Sequence, residues 1–427
     1  MRITSEIGKR SAIALAFAGA LAGCATSIVS HGDLRPGALE AIVERTERAR
    51  GIEAAEPVDA RVVTKHEMRA IIEEVVKETV SKQDMQSAED ALVVLGLWPR
   101  GRNLFEESVS TMGEEAGGVY LPQHKILYIV SDLDLPVGLR IAQAATGRDF
   151  ARELLLSHEL IHALQHQAYP ELVELTTTLT DQDDIAVALH SALEGDAQRY
   201  SFEALETGRA PPAPVDMRRA LVEDAESGSM KDAPDIIRYG LIFPYAYGYE
   251  LSMLEATLLV DRPPVSTEQV LHRDRRHQPF TQLDLGALHS LLPSGCELLT
   301  ENTLGEMAIA ILFGRLAPAV EPEAWRGWDG DRYLAARCGS GLEMVWVTSW
   351  DSARDAEEFL GAYMGMASEV ARSGGLAWSP ASRRKGSAAN EVIVYTRGFS
   401  ALAASVSVRV RRTRLATFED VQEYLEQ

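Results

Sequence analysis

The most informative stretch of this chain is Leu155-Leu156-Ser157-His158-Glu159-Leu160-Ile161-His162-Ala163-Leu164. It lies within residues 150–167, whose apolar residues recur at helical spacing and predict an α-helix. Residues four apart share one helix face, so His158 and His162 can bind one metal ion together. Glu159 lies roughly 100° further around the helix, where it can reach a water at the metal without ligating the metal. The pattern therefore predicts a metal site with Glu159 as general base.

A catalytic zinc ion has three protein ligands, and the third should come from a later helix. Residues 183–207 predict such a helix, and Glu194 lies there in a turn of otherwise small and apolar residues. An inward-facing carboxylate in such a turn needs a partner. We therefore expect Glu194 to be the third ligand of a Zn²⁺ cofactor, with Asp196 and His190 as alternatives. His190, one turn before Glu194, is also a candidate for contact with the transition state.

Two strands are predicted before the zinc helix, over residues 117–122 and 125–130, around a polar turn. A strand beside the helix would give an extended peptide an edge to pair with. An oxyanion donor is also needed for peptide hydrolysis. Four tyrosines cluster at the start of a predicted long helix, 239–260, and we take Tyr245 as the donor, with His190 as its rival. His166, one turn after His162, is expected at the surface.

The spacing of His158, Glu159, His162 and Glu194 resembles that of the gluzincin branch of the zincin metallopeptidases. Residues 162–167, 193–197, 243–248 and 266–272 are similar to an uncharacterised family of secreted prokaryotic proteins described as metallopeptidases. The resemblance covers about residues 60–360. It implies a zincin-like catalytic core, with His158, His162 and Glu194 as zinc ligands and Glu159 as the base.

The chain departs from these relatives in two places. Gluzincins often have an Asp one turn after the ligand Glu, where it orients a zinc-bound His, but this chain has Gln198. Asp196 or another group must then orient the histidine. The family usually has Asp at the position of His166, so the surroundings of the zinc ligands are expected to differ.

Residues 1–23 read as a secretory signal that ends Leu21-Ala22-Gly23-Cys24, which resembles a bacterial lipobox. We expect lipid on Cys24 and an outer-membrane lipoprotein that faces the periplasm or the exterior. Ala25, rather than Asp, gives no sign of inner-membrane retention. In that oxidising compartment Cys296 and Cys338 could pair, or could remain separate thiols.

The composition limits the function further. The chain has 427 residues, with 42 Lys and Arg against 63 Asp and Glu, and its formal net charge is −21. So acidic a chain is not expected to bind nucleic acid, because phosphate binding needs a basic face. The pattern of elements predicts an α+β fold, mostly helical, which includes helices over 66–83 and 417–426 and strands over 391–395 and 402–410. The expected domains are a signal peptide (1–23), a tether (24–60), a zincin-like core (61–317) and a small C-terminal α+β domain (318–427).

These observations favour a membrane-anchored zinc peptidase that acts on a protein or peptide substrate. Two alternatives remain: a hydrolase of non-peptide amides, and a zincin-fold lipoprotein with a role in binding or assembly. An intact Glu159 argues against a pure binder, because such a protein has no use for a base beside zinc.

Overall fold

The computed structural model describes residues 28–30, 32–133, 143, 148–208, 210–314, 324–372, 382–385 and 389–426. Over these residues the protein is α+β and mostly helical, as the sequence predicts. None of the described helices is long and apolar enough to cross a membrane. The predicted signal peptide, Cys24 and the predicted boundary between residues 317 and 318 lie outside the described residues.

The α-helices of the described residues are α1 Pro36–Arg50, α2 Lys65–Thr79, α3 Lys82–Leu95, α4 Leu104–Glu115, α5 Phe150–Ala168, α6 Pro170–Thr178, α7 Asp183–Ala204, α8 Pro214–Ser227, α9 Asp235–Leu254, α10 Leu258–Asp261, α11 Thr267–Leu271, α12 Gly305–Leu312, α13 Ala353–Arg372, α14 Ser400–Arg409 and α15 Phe418–Leu425. The strands are β1 Val29–Ser30, β2 Asp33–Leu34, β3 Asp59–Val63, β4 Gly118–Leu121, β5 Ile126–Val130, β6 Phe280–Asp284, β7 Cys296–Asn302, β8 Trp328–Cys338, β9 Gly341–Trp350, β10 Ser382–Lys385, β11 Glu391–Tyr395 and β12 Arg411–Leu415.

The chain forms two compact units. Among the described residues, the first contains 28–74, Met112–Val173 and Asp196–Ala213, and the second contains Val75–Thr111, Glu174–Gly195 and the chain from Pro214 onward.

The first unit is built on a sheet of three strands in the order β3-β5-β4. Helix α5 covers this sheet because Leu156, Leu160 and Ala163 recur on one face and bury against Leu127 and Ile129 of β5. Asp149 caps the start of α5, where its side chain accepts a hydrogen bond from the Arg152 amide. Strand β4 pairs antiparallel with β5. Since no described strand pairs with its other side, β4 is an edge strand that runs beside α5.

The second unit contains a five-stranded sheet in the order β10-β11-β9-β8-β7. Long antiparallel strands β8 and β9 form its centre, and their inward side chains, such as Val345 and Val347, are fully buried. Cys296 of β7 and Cys338 of β8 are register partners, with Cα atoms 4.1 Å apart, and they form a disulfide. The sequence left that pairing open.

Many predicted elements are confirmed within a few residues. They include the helices over 150–167, 183–207 and 417–426, and the strands over 117–122, 125–130 and 391–395. The helix predicted over 66–83 instead ends at Thr79, because Ser81 caps the next helix by accepting a hydrogen bond from the Asp84 amide.

The segment expected to be a tether, residues 24–60, contains helix α1. Pro36 occupies its first turn and Gly51 ends it in the left-handed conformation. Ile42 is buried in the same apolar core as Leu156 and Leu160 of α5. A tether was predicted because the segment contains few aromatic residues. A few aliphatic residues at helical spacing nevertheless suffice to pack this helix against the core.

Residues 402–410 were predicted as a strand, and this prediction is wrong. Residues 402–409 belong to helix α14, whose Leu402, Ala403 and Val406 are buried in the core of the second unit. The alternation of valine with polar residues resembles a strand. The buried positions are one, three and four residues apart, which is the spacing of a helix.

Candidate metal centre

Helix α5 brings the two predicted histidine ligands together. The Nε2 atoms of His158 and His162 lie 3.1 Å apart. His158 is buried and His162 is half-buried. This convergence follows from their four-residue spacing on one helix face.

Glu194 of α7 completes a cluster with these histidines. The ligand atoms of His158, His162 and Glu194 all lie within 4.8 Å of one another. A metal site needs at least three His, Cys, Asp or Glu side chains close together, and among the described residues these three form such a group. The Glu194 side chain is buried, and His190 Nε2 lies 3.5 Å from its Oε1 atom. His190, which is 47% exposed, therefore adjoins the cluster from the open side.

The donor set suits zinc or a similar divalent cation. Two imidazole nitrogens and one carboxylate oxygen are the donors of a catalytic zinc site with an open fourth position. Two nitrogens bound tetrahedrally at roughly 2.0–2.1 Å would lie roughly 3.3 Å apart, close to the 3.1 Å between the two Nε2 atoms.

A chain of hydrogen bonds holds the His162 ring through its Nδ1 atom. Its Nδ1 lies 2.8 Å from Gln165 Oε1, and Gln165 Nε2 donates to Asp196 Oδ2 at 2.9 Å. Arg50 Nε donates to the same Asp196 oxygen at 2.7 Å. Because Gln165 Oε1 can only accept, Nδ1 of His162 carries the proton, and Nε2 keeps its lone pair for a metal.

Asp196 was an alternative third ligand, but here its carboxylate bonds to Gln165 and Arg50. Burial raises the pKa of the Asp196 carboxyl, and the charge of Arg50 opposes that rise. Asp196 is therefore connected to His162 through the Gln165 side chain. Gln165 and Arg50 were not predicted as part of the site. Gln165 follows His162 by three residues, which was a local signal, whereas Arg50 is brought in only by the packing of α1.

Glu159 is held by the edge strand. The Tyr120 amide donates to Glu159 Oε2 at 2.7 Å, and the Glu159 side chain is buried. A Cβ added at Gly118 would lie 2.9 Å from Glu159 Cγ, so only glycine allows β4 to come this close. The Tyr120 hydroxyl bonds to Nδ1 of His166 at 2.9 Å, so His166 joins this contact with β4.

Tyr245 lies half-buried on α9 in the second unit. This helix crosses α7 at two glycines: a Cβ added at Gly248 would lie 1.9 Å from the Ser191 carbonyl oxygen, and one at Gly195 would lie 2.0 Å from the Gly248 oxygen. Tyr245 precedes this crossing by one helical turn, and Glu194 adjoins Gly195. The predicted oxyanion donor thus comes from the helix packed against the Glu194 helix.

One family matches part of the chain. A domain of unknown function (DUF8575) matches residues 296–422, which include both disulfide cysteines and the five-stranded sheet. The matched residues do not include His158, His162 or Glu194. No match was found among curated proteins or solved structures.

Proposed function

We propose that this protein is a zinc-dependent peptidase of the zincin type. One observation carries the proposal: two histidine Nε2 atoms 3.1 Å apart form a three-residue cluster with Glu194, and a buried glutamate follows the first histidine on the same helix. A site used only for binding would need the ligands but not Glu159.

In this proposal His158, His162 and Glu194 hold zinc, which would polarise the scissile carbonyl and make a water acidic near neutral pH. Glu159 accepts the proton of the attacking water and passes it to the leaving nitrogen. Tyr245, or His190 from the open side of the cluster, donates a hydrogen bond to the developing oxyanion. A peptide substrate pairs with the groups of the β4 edge other than the Tyr120 amide, which donates to Glu159, and so passes beside Glu159.

We also propose that lipid on Cys24 anchors the protein to the outer membrane. The Cys296–Cys338 disulfide favours an oxidising compartment, where such bonds persist. Mass spectrometry of the membrane-extracted protein should find an acylated N-terminal Cys24. A mature chain that begins after Cys24, and so carries no lipid there, would contradict the anchor and leave the peptidase proposal intact.

The function is tested by metal analysis and turnover of the purified full chain. We expect one zinc per chain, its loss in His158→Ala and Glu194→Ala, and its retention in Glu159→Gln, which should lose peptide cleavage. His124→Ala, an exposed histidine in the β4–β5 turn, is the matched control and should keep both zinc and turnover.

Two results would contradict this proposal. Unchanged turnover in zinc-loaded Glu159→Gln would remove the general base. Zinc lost in His158→Ala but retained in Glu194→Ala would exclude Glu194 as the third ligand.

A further inference from the structure

A cavity of about 250 Å³ lies in the first unit, against α5, β4 and the loop that follows α1. Its apolar walls come from Ala55, Pro57, Val58, Ala163 and Pro170. Binding sites for whole small molecules usually measure about 300–1,000 Å³. This cavity is therefore of a size for one side chain rather than for a complete ligand.

One residue, Tyr120, connects the wall of the cavity to the proposed base. The Tyr120 amide bonds to Glu159 Oε2 at 2.7 Å, while its side chain lines the cavity. Ala163 follows Glu159 by one helical turn, and His166 follows His162 by one turn. A peptide paired with the edge of β4 would thus present one of its side chains to the cavity while its backbone passes Glu159.

The loop that forms one wall is fixed in place. Gln167 Oε1 accepts hydrogen bonds from the amides of Ala55 and Glu56 at 2.7 and 3.0 Å, and Gln167 Nε2 donates to the Glu56 carbonyl. Three hydrogen bonds from one side chain hold the wall at a constant distance from α5. A preformed wall of this kind selects side chains by shape.

The polar groups of the cavity match an uncharged side chain. Lys125 Nζ and Glu56 Oε2 lie 3.3 Å apart, so their opposite charges compensate each other. Burial raises the pKa of the Tyr120 phenol, whose hydroxyl stays protonated and bonds to His166 Nδ1. The Tyr120 and His166 rings, with centroids 5.9 Å apart, add aromatic surface beside the apolar walls.

We propose that this cavity is a specificity subsite that accepts one uncharged aromatic side chain, Phe or Tyr, of the peptide substrate. The inference rests on the proposed peptidase function. Ala55 is exposed and lines the cavity, so a bulky side chain there closes it from the solvent side. The Ala55 side chain makes none of the hydrogen bonds that hold the loop, which use its backbone amide.

The test compares Ala55→Trp with Ala55→Ser, which leaves the cavity open, and with Val215→Trp, which adds tryptophan at an exposed residue that does not line the cavity. Each zinc-loaded protein is given a pool of randomised peptides, and the products are sequenced by mass spectrometry. We expect wild type to require Phe or Tyr at one fixed position from the cut. Ala55→Trp should lower kcat/KM for those peptides about tenfold or more and change kcat/KM for Ala-substituted peptides less than about twofold. Both controls should behave as wild type.

Two results would overturn the inference in different ways. Cleavage without aromatic preference, or a preference that persists in Ala55→Trp at wild-type zinc content and melting temperature, would exclude the cavity and leave the peptidase intact. Absence of cleavage of any peptide by the zinc-loaded wild type would instead remove the proposed function, and the subsite with it.

Discussion

Gln165 supports the geometry of the candidate metal centre without belonging to the cluster itself. It connects His162 to the buried pair Asp196 and Arg50, whose side chains are only 3% and 8% exposed. We expect Gln165→Ala to weaken zinc affinity about tenfold to a hundredfold, because His162 loses the acceptor that fixes its tautomer and ring orientation. Competition against a chelator measures this affinity, and the melting temperature of the metal-free protein checks the fold.

Gln167→Ala provides the matched control, since Gln167 is on the same helix but bonds to the loop at residues 55 and 56. Its zinc affinity should equal that of wild type. Equal affinities in Gln165→Ala and Gln167→Ala would show that Gln165 does not position the histidine. Metal-free Gln165→Ala that melts well below metal-free Gln167→Ala would assign the loss of affinity to a weakened fold rather than to the orientation of His162.

The part of the site that sequence could predict is the local part. His158, Glu159 and His162 lie within one and a half helical turns, so their relative positions follow from helix geometry alone. Glu194 could be proposed because a buried carboxylate needs a partner, and the structure brings it within 4.8 Å of both histidines. Arg50 could not be found this way, because 146 residues separate it from Asp196 and only the packing of three helices brings them together.

At the scale of secondary-structure elements, the crossing of α7 and α9 controls where Glu194 lies. A Cβ at Gly248 would lie 1.9 Å from the Ser191 carbonyl oxygen, and backbone cannot move aside as a flexible side chain can. We expect Gly248→Ala to lower the free energy of unfolding by about 1–3 kcal/mol, because the two helices must separate. Chemical denaturation measures the change.

Gly240→Ala makes the same substitution in the same helix, at a residue that lies outside the crossing. A Cβ at Gly240 meets nothing within 4 Å, so this variant should be neutral or more stable by up to about 1 kcal/mol, as expected when alanine replaces glycine inside a helix. Equal stability of the two variants would mean that α7 and α9 can move apart at the crossing without loss of stability.

The errors in predicting elements share a physical cause. Valines at alternate positions near residue 406 indicated a strand, but burial of Leu402, Ala403 and Val406 against the sheet of the second unit favours helix α14. Likewise α1 has few large apolar residues and is held by Ile42 in the core with α5. Tertiary burial, which local pattern does not contain, decided both segments.

At the scale of the whole molecule, the disulfide closes a loop of 42 residues between β7 and β8. The chain-entropy model gives such a cross-link about 4 kcal/mol, as an upper value, because the reduced unfolded chain gains freedom. We expect the double variant Cys296→Ser, Cys338→Ser to melt at a lower temperature than wild type. Wild type heated with a reductant should match the variant; identical melting of oxidised and reduced wild type would show that strand pairing alone fixes β7 against β8.

The second unit also buries acidic groups that oppose folding at high pH. Burial, with nearby Glu306 and Asp351, raises the pKa of Glu268 to about 9, against 4.5 for an ordinary glutamate. The folded protein therefore binds this proton more tightly than the unfolded chain. Below pH 4.5 the carboxyl is protonated in both states and costs nothing. Between pH 4.5 and 9 the unfolded chain releases the proton first, so stability falls as pH rises, and above pH 9 the cost stays constant.

Glu268→Gln tests this linkage, because an amide of nearly the same size keeps the packing and removes the titration. We expect the free energy of unfolding of wild type to decrease from pH 5 to pH 9, and the decrease to be smaller in Glu268→Gln by at least about 1 kcal/mol. Denaturant titrations at several pH values measure it, with the cysteines kept oxidised. Glu297→Gln removes the same charge from an exposed residue of β7 and should follow wild type. Parallel curves for Glu268→Gln and wild type would mean that Glu268 ionises in the folded protein at an ordinary pH.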